Sequence, residues 1–349
     1  MIEKISNRII DKNNTILQAM KQMDQERVKL LFVYDKIKFV GILTIGDIQR
    51  SIIANKNLNS SINEIVDVNK VYAYSDETSN QIKEKMFHLR SECMPVFDRK
   101  GNLIDVYFWK DVFGENKEIQ FDKLNIPVVI MAGGEGTRLK PFTNVIPKPL
   151  LPIGDKTILE IILDKFSQIG CSEFYMSVNY KSELLRYYME NVPTQYKINY
   201  FKEDKPLGTI GSIFLLKNKI VTPFFVTNCD ILIEQDLAEI YKYHVENQND
   251  ITIVTAIKTY QIPYGVIETG ENGQMINLTE KPELSYMINT GVYILQPEMI
   301  DEVPSNEFFH ITDLINKIRK KRGNIGCFPI SEKSWTDIGD WNEYSKLIR

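Results

Sequence analysis

The sequence is poor in the residues that build disulfide frameworks and metal centres. Its 349 residues include four cysteines and three histidines, all far apart. No Cys-x-x-Cys pair occurs, which argues against structural zinc and against a disulfide scaffold. We expect the cysteines to be reduced, buried residues of a cytoplasmic protein, and the histidines to be ordinary packing or surface residues. The cysteines are Cys93, Cys171, Cys229 and Cys327.

Membrane and targeting signals are also absent. No apolar run reaches the roughly 18 residues of a transmembrane helix, and the start, MIEKISNRIIDKNN, lacks the apolar stretch of a signal peptide. The net charge of -4 gives no general attraction to nucleic acid or anionic membranes. The one dense basic run, KIRKKRG at 317–323, is typical of the last turn of a helix, where cations meet the negative dipole end. We therefore expect neither nucleic acid nor membrane as a partner.

The first third of the chain is a duplication. TILQAMKQM begins at Thr15 and TSNQIKEKM at Thr78, and each is followed by an apolar strand, a polar turn, a second strand and a helix. Each copy is too small to bury its own sheet well, so the two copies should pack together. We predict one copy over 1–57, a second over 58–113 and a polar linker over 114–125.

The remainder of the chain, 126–349, alternates apolar strands with helices. VVIM (128–131) is a β-branched run typical of a buried parallel strand. KTILEIILDKFSQIG (156–170) has apolar residues at helical spacing before a terminating glycine. The chain is therefore predicted to be α/β: a doubly wound, mixed, Rossmann-like sheet preceded by the duplicated α/β pair.

A glycine-rich loop follows the predicted strand at 128–131, reading MAGGEGTRLKPFTNVIPKPLLPIG over 131–154. Glycines there let backbone N–H groups approach phosphate oxygens closely. Arg138 offers a permanently charged fork, and Lys148 lies between two prolines that stiffen the chain. The loop is not a Walker loop, which needs GxxxxGK[ST]. It also fails the dinucleotide fingerprint GxGxxG, because Leu139 takes the third glycine position.

This loop, with PLGTIGSIFLL, TNCDIL, EKP, NTGVY and WTDIGDWNEY further on, closely resembles the sugar-1-phosphate nucleotidyltransferases across 126–349. Members of that family join a nucleoside triphosphate (NTP) to a sugar 1-phosphate and release pyrophosphate. The resemblance implies such an enzyme, with Mg²⁺ as its cofactor. Cys229 stands where many members have glycine, and Ile210 where alanine is common, but neither change removes a catalytic group.

The resemblance also implies a set of site residues. Arg138, Lys148 and Asp230 would be catalytic, and Asp230 and Asp337 would bind Mg²⁺. The loop and PLGTIGS would supply the nucleotide-binding residues, which are Ala132, Gly133, Gly134, Gly136, Thr137, Gly208 and Gly211. The sugar phosphate would be bound by Tyr264, Gly265, Glu280, Lys281, Asn289, Thr290 and Gly291.

The duplicated region resembles a CBS-domain pair, a module that often binds adenine nucleotides. Within GILTIGD, the resemblance implies that Thr44 and Asp47 bind ribose and phosphate at a helix start. The second copy keeps Asp111 but has Phe108 in place of the threonine and Asp105 in place of the glycine. One site is therefore expected to be intact and the other degraded. A purely structural or dimerising module is an equal alternative, and the resemblance implies a homo-oligomer.

The combination of a CBS pair with this catalytic domain most resembles bacterial guanylyltransferases. These supply GDP-sugars for surface or flagellar glycans, including those that contain legionaminic acid. The resemblance implies GTP as donor and glucosamine 1-phosphate as acceptor. The alternatives are mannose or heptose 1-phosphate as acceptor, a uridylyl- or cytidylyltransferase, and a nucleotide-sensing regulatory protein without catalysis.

Overall fold

The computed structural model describes residues 5–67, 70, 72–89, 91–114, 123–192, 196–339 and 341–348. The chain divides into two compact units, Met1–Phe121 and Asp122–Arg349. Most of the predicted linker, 115–122, lies outside the described residues. Within the described part of the chain, no helix combines the length and apolar character needed to cross a membrane.

The amino-terminal unit repeats one small α/β topology. Its sheets have the orders β1-β2-β3 and β4-β5-β6, each with a parallel first pair and an antiparallel second pair. Phe32 of the first sheet and Phe97 of the second lie in one buried core, so the copies pack together as predicted. The helices are α1 (Ile16–Glu26), α2 (Ile45–Ile53), α3 (Ser79–Leu89) and α4 (Trp109–Phe113); the strands are β1 (Ile9–Asp11), β2 (Leu30–Asp35), β3 (Lys38–Thr44), β4 (Ala73–Tyr74), β5 (Cys93–Phe97) and β6 (Leu103–Phe108).

The second unit alternates strands and helices. Its helices are α5 (Ile158–Gln168), α6 (Ser182–Asn191), α7 (Leu237–Glu246), α8 (Ile311–Lys320) and α9 (Trp341–Leu347). Its strands are β7 (Val128–Met131), β8 (Pro152–Ile153), β9 (Lys156–Thr157), β10 (Glu173–Val178), β11 (Lys197–Lys202), β12 (Phe224–Asn228), β13 (Ile231–Ile233), β14 (Ile251–Gln261), β15 (Val266–Thr269), β16 (Met275–Thr279), β17 (Glu283–Leu295), β18 (Ile325–Ser331) and β19 (Trp335–Asp337).

A seven-stranded mixed sheet organises this unit, in the order β11-β10-β7-β12-β17-β14-β18. The first four strands are parallel, and β17 runs antiparallel to both its neighbours. Val128 and Ile130 of β7 lie in the core on one face with α5, whereas Val129 lies in the core on the other face with α8. Helical layers therefore cover both faces, and the predicted doubly wound mixed fold is confirmed.

Polar residues fix where helices begin in both units. Thr15 accepts a hydrogen bond from the Gln18 N–H (3.1 Å), and the Gln18 side chain accepts one from the Thr15 N–H (2.8 Å). Thr157 and Glu160 exchange the same two bonds at the start of α5. These reciprocal capping bonds satisfy N–H groups that a helix leaves without partners.

Two expectations about individual residues meet different outcomes. The basic run forms the last turn of α8, which carries Lys317, Arg319 and Lys320, as predicted. The expectation that all four cysteines are buried is wrong for Cys327, which is exposed. Cys327 lies on β18, an edge strand of the seven-stranded sheet, where alternate side chains point away from the core.

Candidate active site

The glycine-rich loop leaves the carboxyl end of β7, which lies between β10 and β12. Gly136 has a φ of +63°, and a Cβ there would lie 2.9 Å from Thr143 Cγ2 and 3.1 Å from Lys148 Cβ. Both its backbone conformation and its close packing therefore require glycine. A Cβ on Gly134 would meet no atom within 4 Å, so this part of the loop is open to an approaching ligand.

The other loop residues differ in their exposure. Ala132 is buried, and its N–H bonds to the carbonyl of Ser177 on the neighbouring strand (3.1 Å). Thr137 begins a short helical turn with Arg138, and both side chains are exposed. Ala132 therefore anchors the loop to the sheet, whereas Thr137 and Arg138 are available to a ligand.

Two carboxylates meet next to this loop. Asp230 directly precedes β13 and Asp337 ends β19, and these strands pair so that Ile231 lies opposite Asp337. The N–H of Ile338 donates to the backbone carbonyl of Asp230 (2.9 Å), which ties the two segments together. Oδ1 of each aspartate is buried and has no hydrogen-bond partner among the described residues. The structure therefore brings together the two aspartates that were predicted to bind metal.

Two cations accompany the carboxylates. The Lys148 ammonium is ion-paired with Oδ2 of Asp230, and the Lys148 side chain is only 8% exposed. The Arg138 guanidinium nitrogens lie 3.0 Å from the position that a Cβ on Gly339 would occupy, and Asp337 Oδ1 lies 2.5 Å from that position. Burial raises the pKa of Asp337, and the nearby Asp230 charge adds to this, while Lys148 and Arg138 act in the opposite direction. The site is thus a compact arrangement of two anions and two cations.

The chemistry of this arrangement fits a hard divalent cation. Mg²⁺ is usually held by one or two carboxylates together with substrate phosphates and waters, and two carboxylate oxygens here lack any other partner within the described chain. Burial, above all, raises the pKa of the neighbouring Cys229 thiol to about 12. No group of three or more metal-ligating side chains occurs among residues 5–67, 70, 72–89, 91–114, 123–192, 196–339 and 341–348.

A buried carboxylate that sequence reasoning missed lies on the other side of the loop. Glu203 is 5% exposed, and its Oε1 lies 3.2 Å from the position of a Cβ on Gly133. The Ser177 hydroxyl donates to Oε1, and the Leu207 N–H donates to Oε2 (3.2 Å). In the sequence, Glu203 is one charge within KEDK, which resembles an ordinary surface loop. Only the fold turns this side chain inward toward Gly133.

The two glycines of PLGTIGS are in contact with backbone. Gly208 has a φ of +82°, and a Cβ there would lie 2.6 Å from the carbonyl oxygen of Phe309. A Cβ on Gly211 would lie 2.8 Å from the carbonyl oxygen of Glu307. These glycines therefore let the segment before α8 pass close by, and their predicted contact with nucleotide stays a prediction.

Four of the predicted sugar-phosphate residues form an exposed cluster. Tyr264 is 74% exposed, and its carbonyl accepts a bond from the Lys281 N–H (3.2 Å). A Cβ on Gly265 would lie 2.9 Å from Oε2 of Glu280. The hairpin of β15 and β16, which connects these two pairs, brings them side by side.

The remaining three lie on β17, beside the carboxylate pair. The Thr290 hydroxyl is buried and donates to the Val254 carbonyl (2.8 Å), so it supports the sheet. The Asn289 side chain accepts from the Gly291 N–H (3.1 Å). Gly291 has a φ of +86°, and a Cβ there would lie 2.6 Å from Asn228 Nδ2, at the end of β12. Gly291, within β17, is therefore packed against the end of β12, the strand that leads to Asp230.

In the amino-terminal unit, Thr44 and Asp47 meet at the start of α2. The Thr44 hydroxyl donates to Asp47 (2.7 Å), and the Asp47 carboxylate also pairs with Arg50 (2.5 Å) and with Lys70. Burial alone would raise the pKa of Asp47, but hydrogen bonds from Lys70 and Thr44 outweigh it and lower the pKa. Asp47 is thus an ionised, buried group between two cations.

The corresponding position of the second copy is filled. Phe108 precedes α4, and the Arg8 guanidinium lies 4.7 Å from the centre of its ring. A cation over an aromatic face is a favourable contact, while Asp111 is exposed. A phenylalanine with an arginine over its ring therefore stands where the first copy has its threonine hydroxyl, in line with the expected loss of the second site.

Models of known protein families match a part of each unit. The family model described as nucleotidyl transferase matches residues 127–349, which is more than half of the chain. The model described as CBS domain matches residues 6–54.

Individual relatives agree with the larger match. The UTP–glucose-1-phosphate uridylyltransferase of Synechocystis is 31% identical over 242 residues, covering 63% of this chain and 62% of the relative. The mannose-1-phosphate guanylyltransferase catalytic subunit beta of Dictyostelium discoideum is 34% identical over 223 residues, covering 62% of each. The matched stretch therefore spans less than two thirds of these relatives. A crystal structure of a candidate glucose-1-phosphate thymidylyltransferase from Bacillus anthracis, with a TM-score of 0.50 and 21% identity, covers 64% of this chain and 93% of its own. That structure is evidence for the fold alone.

Proposed function

This chain belongs to the nucleotidyl transferase family, and on that premise we propose that it joins an NTP to a sugar 1-phosphate, forming a nucleotide-sugar and pyrophosphate. The observation that carries the proposal is the convergence of two cations and two carboxylates at the glycine-rich loop. These residues are Arg138, Lys148, Asp230 and Asp337. The named relatives transfer uridylyl or guanylyl groups to sugar 1-phosphates, which is the same class of reaction.

The reaction needs positioning more than covalent chemistry. An oxygen of the sugar phosphate attacks the α-phosphorus of the NTP, a new P–O bond forms, and the bond to the bridging oxygen breaks to release pyrophosphate. Both reactants are anions, so the protein must hold them together and neutralise the charge that develops. Arg138 and Lys148 supply two positive charges at the loop, and Gly134 leaves room for phosphate oxygens.

Asp230 and Asp337 would hold Mg²⁺, which supplies neutralisation and alignment of the phosphates when bound. Their unpartnered Oδ1 atoms are the observation that favours this role. Lys148 already touches Asp230, so its ammonium group is placed where it can remain beside the carboxylate or turn toward a phosphate.

Glu203 favours guanine as the base. An ionised carboxylate only accepts hydrogen bonds, and guanine presents two adjacent donors, N1–H and the N2 amino group, on one edge. Adenine and cytosine place an acceptor beside their amino group, and uracil places its single N–H between two carbonyls. With Oε1 of Glu203 so close to Gly133, GTP is therefore the donor that we propose. Uridylyl and cytidylyl transfer are the alternatives.

For the acceptor we propose glucosamine 1-phosphate, as the resemblance implies. Glu280 offers a carboxylate for an amino group on the sugar, and the neighbouring Lys281 offers a positive charge for the phosphate. Mannose and heptose 1-phosphate are the alternatives, and the mannose reaction is the one named for several relatives. The product would then supply surface or flagellar glycans, including those with legionaminic acid.

A panel of substrates tests this proposal directly. Release of pyrophosphate is measured for each of four NTPs with glucosamine, mannose, glucose and heptose 1-phosphates in the presence of Mg²⁺. The proposal predicts the highest kcat/KM for GTP with glucosamine 1-phosphate. Preference for UTP would overturn the guanylyl assignment, and nucleotide binding without turnover would favour a nucleotide sensor.

For the amino-terminal unit we propose that an adenine nucleotide binds at Thr44 and Asp47, with Lys70 beside them to receive phosphate. The test compares thermal unfolding of the full chain with AMP, ADP and ATP against the same titration of Asp47→Ala. A nucleotide-dependent rise in Tm that Asp47→Ala abolishes is expected. If none of the three nucleotides raises Tm, the adenine-nucleotide proposal is wrong and the unit has a structural role.

A further inference from the structure

The last helix is attached to the glycine-rich loop by an exposed aromatic stack. The rings of Phe142 and Trp341 are nearly parallel, with an interplanar angle of 5° and centroids 5.1 Å apart. Phe142 is 46% exposed and Trp341 is 44% exposed. The stack therefore forms at the surface of the unit.

A second contact attaches α9 further along the same segment. Tyr344, one turn after Trp341, is buried, and its hydroxyl donates to the carbonyl of Pro152 (2.8 Å). The helix thus bridges Phe142 and Pro152, and the stretch between these two anchors contains Lys148.

The anchors connect to the reacting groups at both ends. On one side, Thr143 follows Phe142, and its hydroxyl donates to the carbonyl of Gly136 (3.0 Å), the loop residue with positive φ. On the other side, α9 begins shortly after Asp337. The stack and the Thr143–Gly136 bond therefore connect the glycine-rich loop with α9, which follows Asp337 in the sequence.

We propose that the Phe142–Trp341 stack is a positioning contact. It sets the spacing between the glycine-rich loop and Asp337 for binding of the NTP with its metal. This inference rests on the proposed function and deepens it. The stack touches none of the proposed reacting atoms, so both aromatic residues act through Gly136, Lys148 and Asp337. Its location predicts that it affects the NTP side of the reaction and leaves the sugar-phosphate residues at 264–265 and 280–281 alone.

Trp341→Ala is the principal variant, and Trp341→Phe keeps a ring for stacking. Binding of GTP with Mg²⁺ is measured by calorimetry without the sugar phosphate, alongside kcat and both KM values. Trp341→Ala should weaken NTP binding and raise its KM by about tenfold, since small misplacements have effects of this size or larger. The KM for the sugar 1-phosphate should change little, and Trp341→Phe should recover wild-type binding within about threefold.

Two further variants distinguish positioning from general stability. Phe142→Ala should reproduce the defect, and the double variant should be no worse than either single one, because both remove the same contact. Tyr187→Ala, which removes an exposed aromatic residue elsewhere in the unit, should leave NTP binding unchanged. Equal loss of affinity for both substrates, or a lower Tm with unchanged NTP affinity, would overturn the proposal. If the wild type binds NTP with Mg²⁺ but never turns over, the proposed function fails while the binding comparison still tests the stack.

Discussion

Lys148 is ion-paired with Asp230 through one carboxylate oxygen, while the other oxygen of the same aspartate has no hydrogen-bond partner among the described residues. The lysine therefore neutralises part of a site that also fits a metal cation. A buried charge that loses its only partner is strongly destabilising. In the proposed reaction, the same lysine would stabilise the folded protein before substrate binds and would contact the phosphates afterwards.

Lys148→Met tests both roles of this lysine. We expect kcat to fall by about 10²–10³-fold, the range seen when one charge-stabilising donor is removed. Without Mg²⁺ the variant should also unfold at a lower temperature, because Asp230 is left without its cation. Addition of Mg²⁺ should raise Tm more in the variant than in the wild type, where Lys148 competes for the carboxylate.

Lys165→Met is the matched control, since it removes a lysine that pairs with Glu234 (2.7 Å) at the surface of the same unit. Exposed pairs of this kind contribute little, so kcat and the response to Mg²⁺ should stay at wild-type values. An equal Mg²⁺ response in Lys148→Met and wild type would show that the lysine and the metal do not share the site.

Asp230→Asn and Asp337→Asn test the carboxylate pair. Each change keeps the side-chain size and removes one negative charge, so each should weaken Mg²⁺ binding and lower kcat/KM by at least about tenfold. Calorimetry with Mg²⁺ and a non-hydrolysable NTP gives the affinity, and pyrophosphate release gives the rate. The control is Asp164→Asn on α5, which breaks an ion pair between Asp164 and Lys156 (2.6 Å). Unchanged pyrophosphate release in Asp230→Asn would refute the metal assignment.

Glu203→Gln tests the proposed reading of the base. An amide can donate as well as accept, so it suits uracil better than a carboxylate does and suits guanine worse. The ratio of kcat/KM for GTP over UTP should fall by about 10–100-fold, the discrimination that a paired hydrogen-bond contact to a base provides. Glu173→Gln, which removes a carboxylate paired with Lys197 (3.1 Å), should leave that ratio unchanged. If Glu203→Gln leaves the GTP-to-UTP ratio unchanged, Glu203 does not select the base, and its role is to hydrogen-bond Ser177 and Leu207.

The order of motifs predicted much of this site. Glycines after a buried strand predict a phosphate-binding loop, because ligands of open α/β sheets bind at the edge where the parallel strands have their carboxyl ends. Asp230 and Asp337 are far apart in sequence, and the pairing of β13 with β19 brings them together as the resemblance implies. The α/β class and the duplicated unit were likewise predictable, since helical and strand periodicity are local properties of the chain.

What the sequence could not reveal depends on side-chain direction and on distant partners. Glu203 stands in the charged stretch KEDK, where burial is not expected. It directly follows β11, and only the tertiary structure brings its side chain close to Gly133. The stack of Phe142 on Trp341 joins residues almost 200 positions apart, which no local pattern encodes. Cys327 was wrongly expected to be buried, because an edge strand cannot be recognised from composition alone.

His244 gives the second unit a pH-dependent stability. The ring is fully buried: its Nδ1 lies 2.9 Å from the Thr252 hydroxyl and its Nε2 lies 3.2 Å from Gln296 Nε2. Burial lowers the pKa of His244 to about 4, below its ordinary value of 6.5. At pH values between about 4 and 6.5, His244 binds a proton in the unfolded chain but stays neutral in the folded protein. The contribution to stability is therefore present above pH 6.5 and is lost as the pH falls toward 4.

Denaturant unfolding of wild type and His244→Gln at pH 7 and pH 5 measures this contribution. By linkage, His244 should lower the free energy of unfolding of the wild type by about 2 kcal/mol between these pH values. His244→Gln cannot take up that proton, so its stability should fall by about 2 kcal/mol less over the same range. His88 is exposed and His310 is half-buried, and both lie outside this buried network, so His310→Gln is the matched control variant. The same pH dependence in His244→Gln and wild type would mean that His244 is protonated in the folded protein.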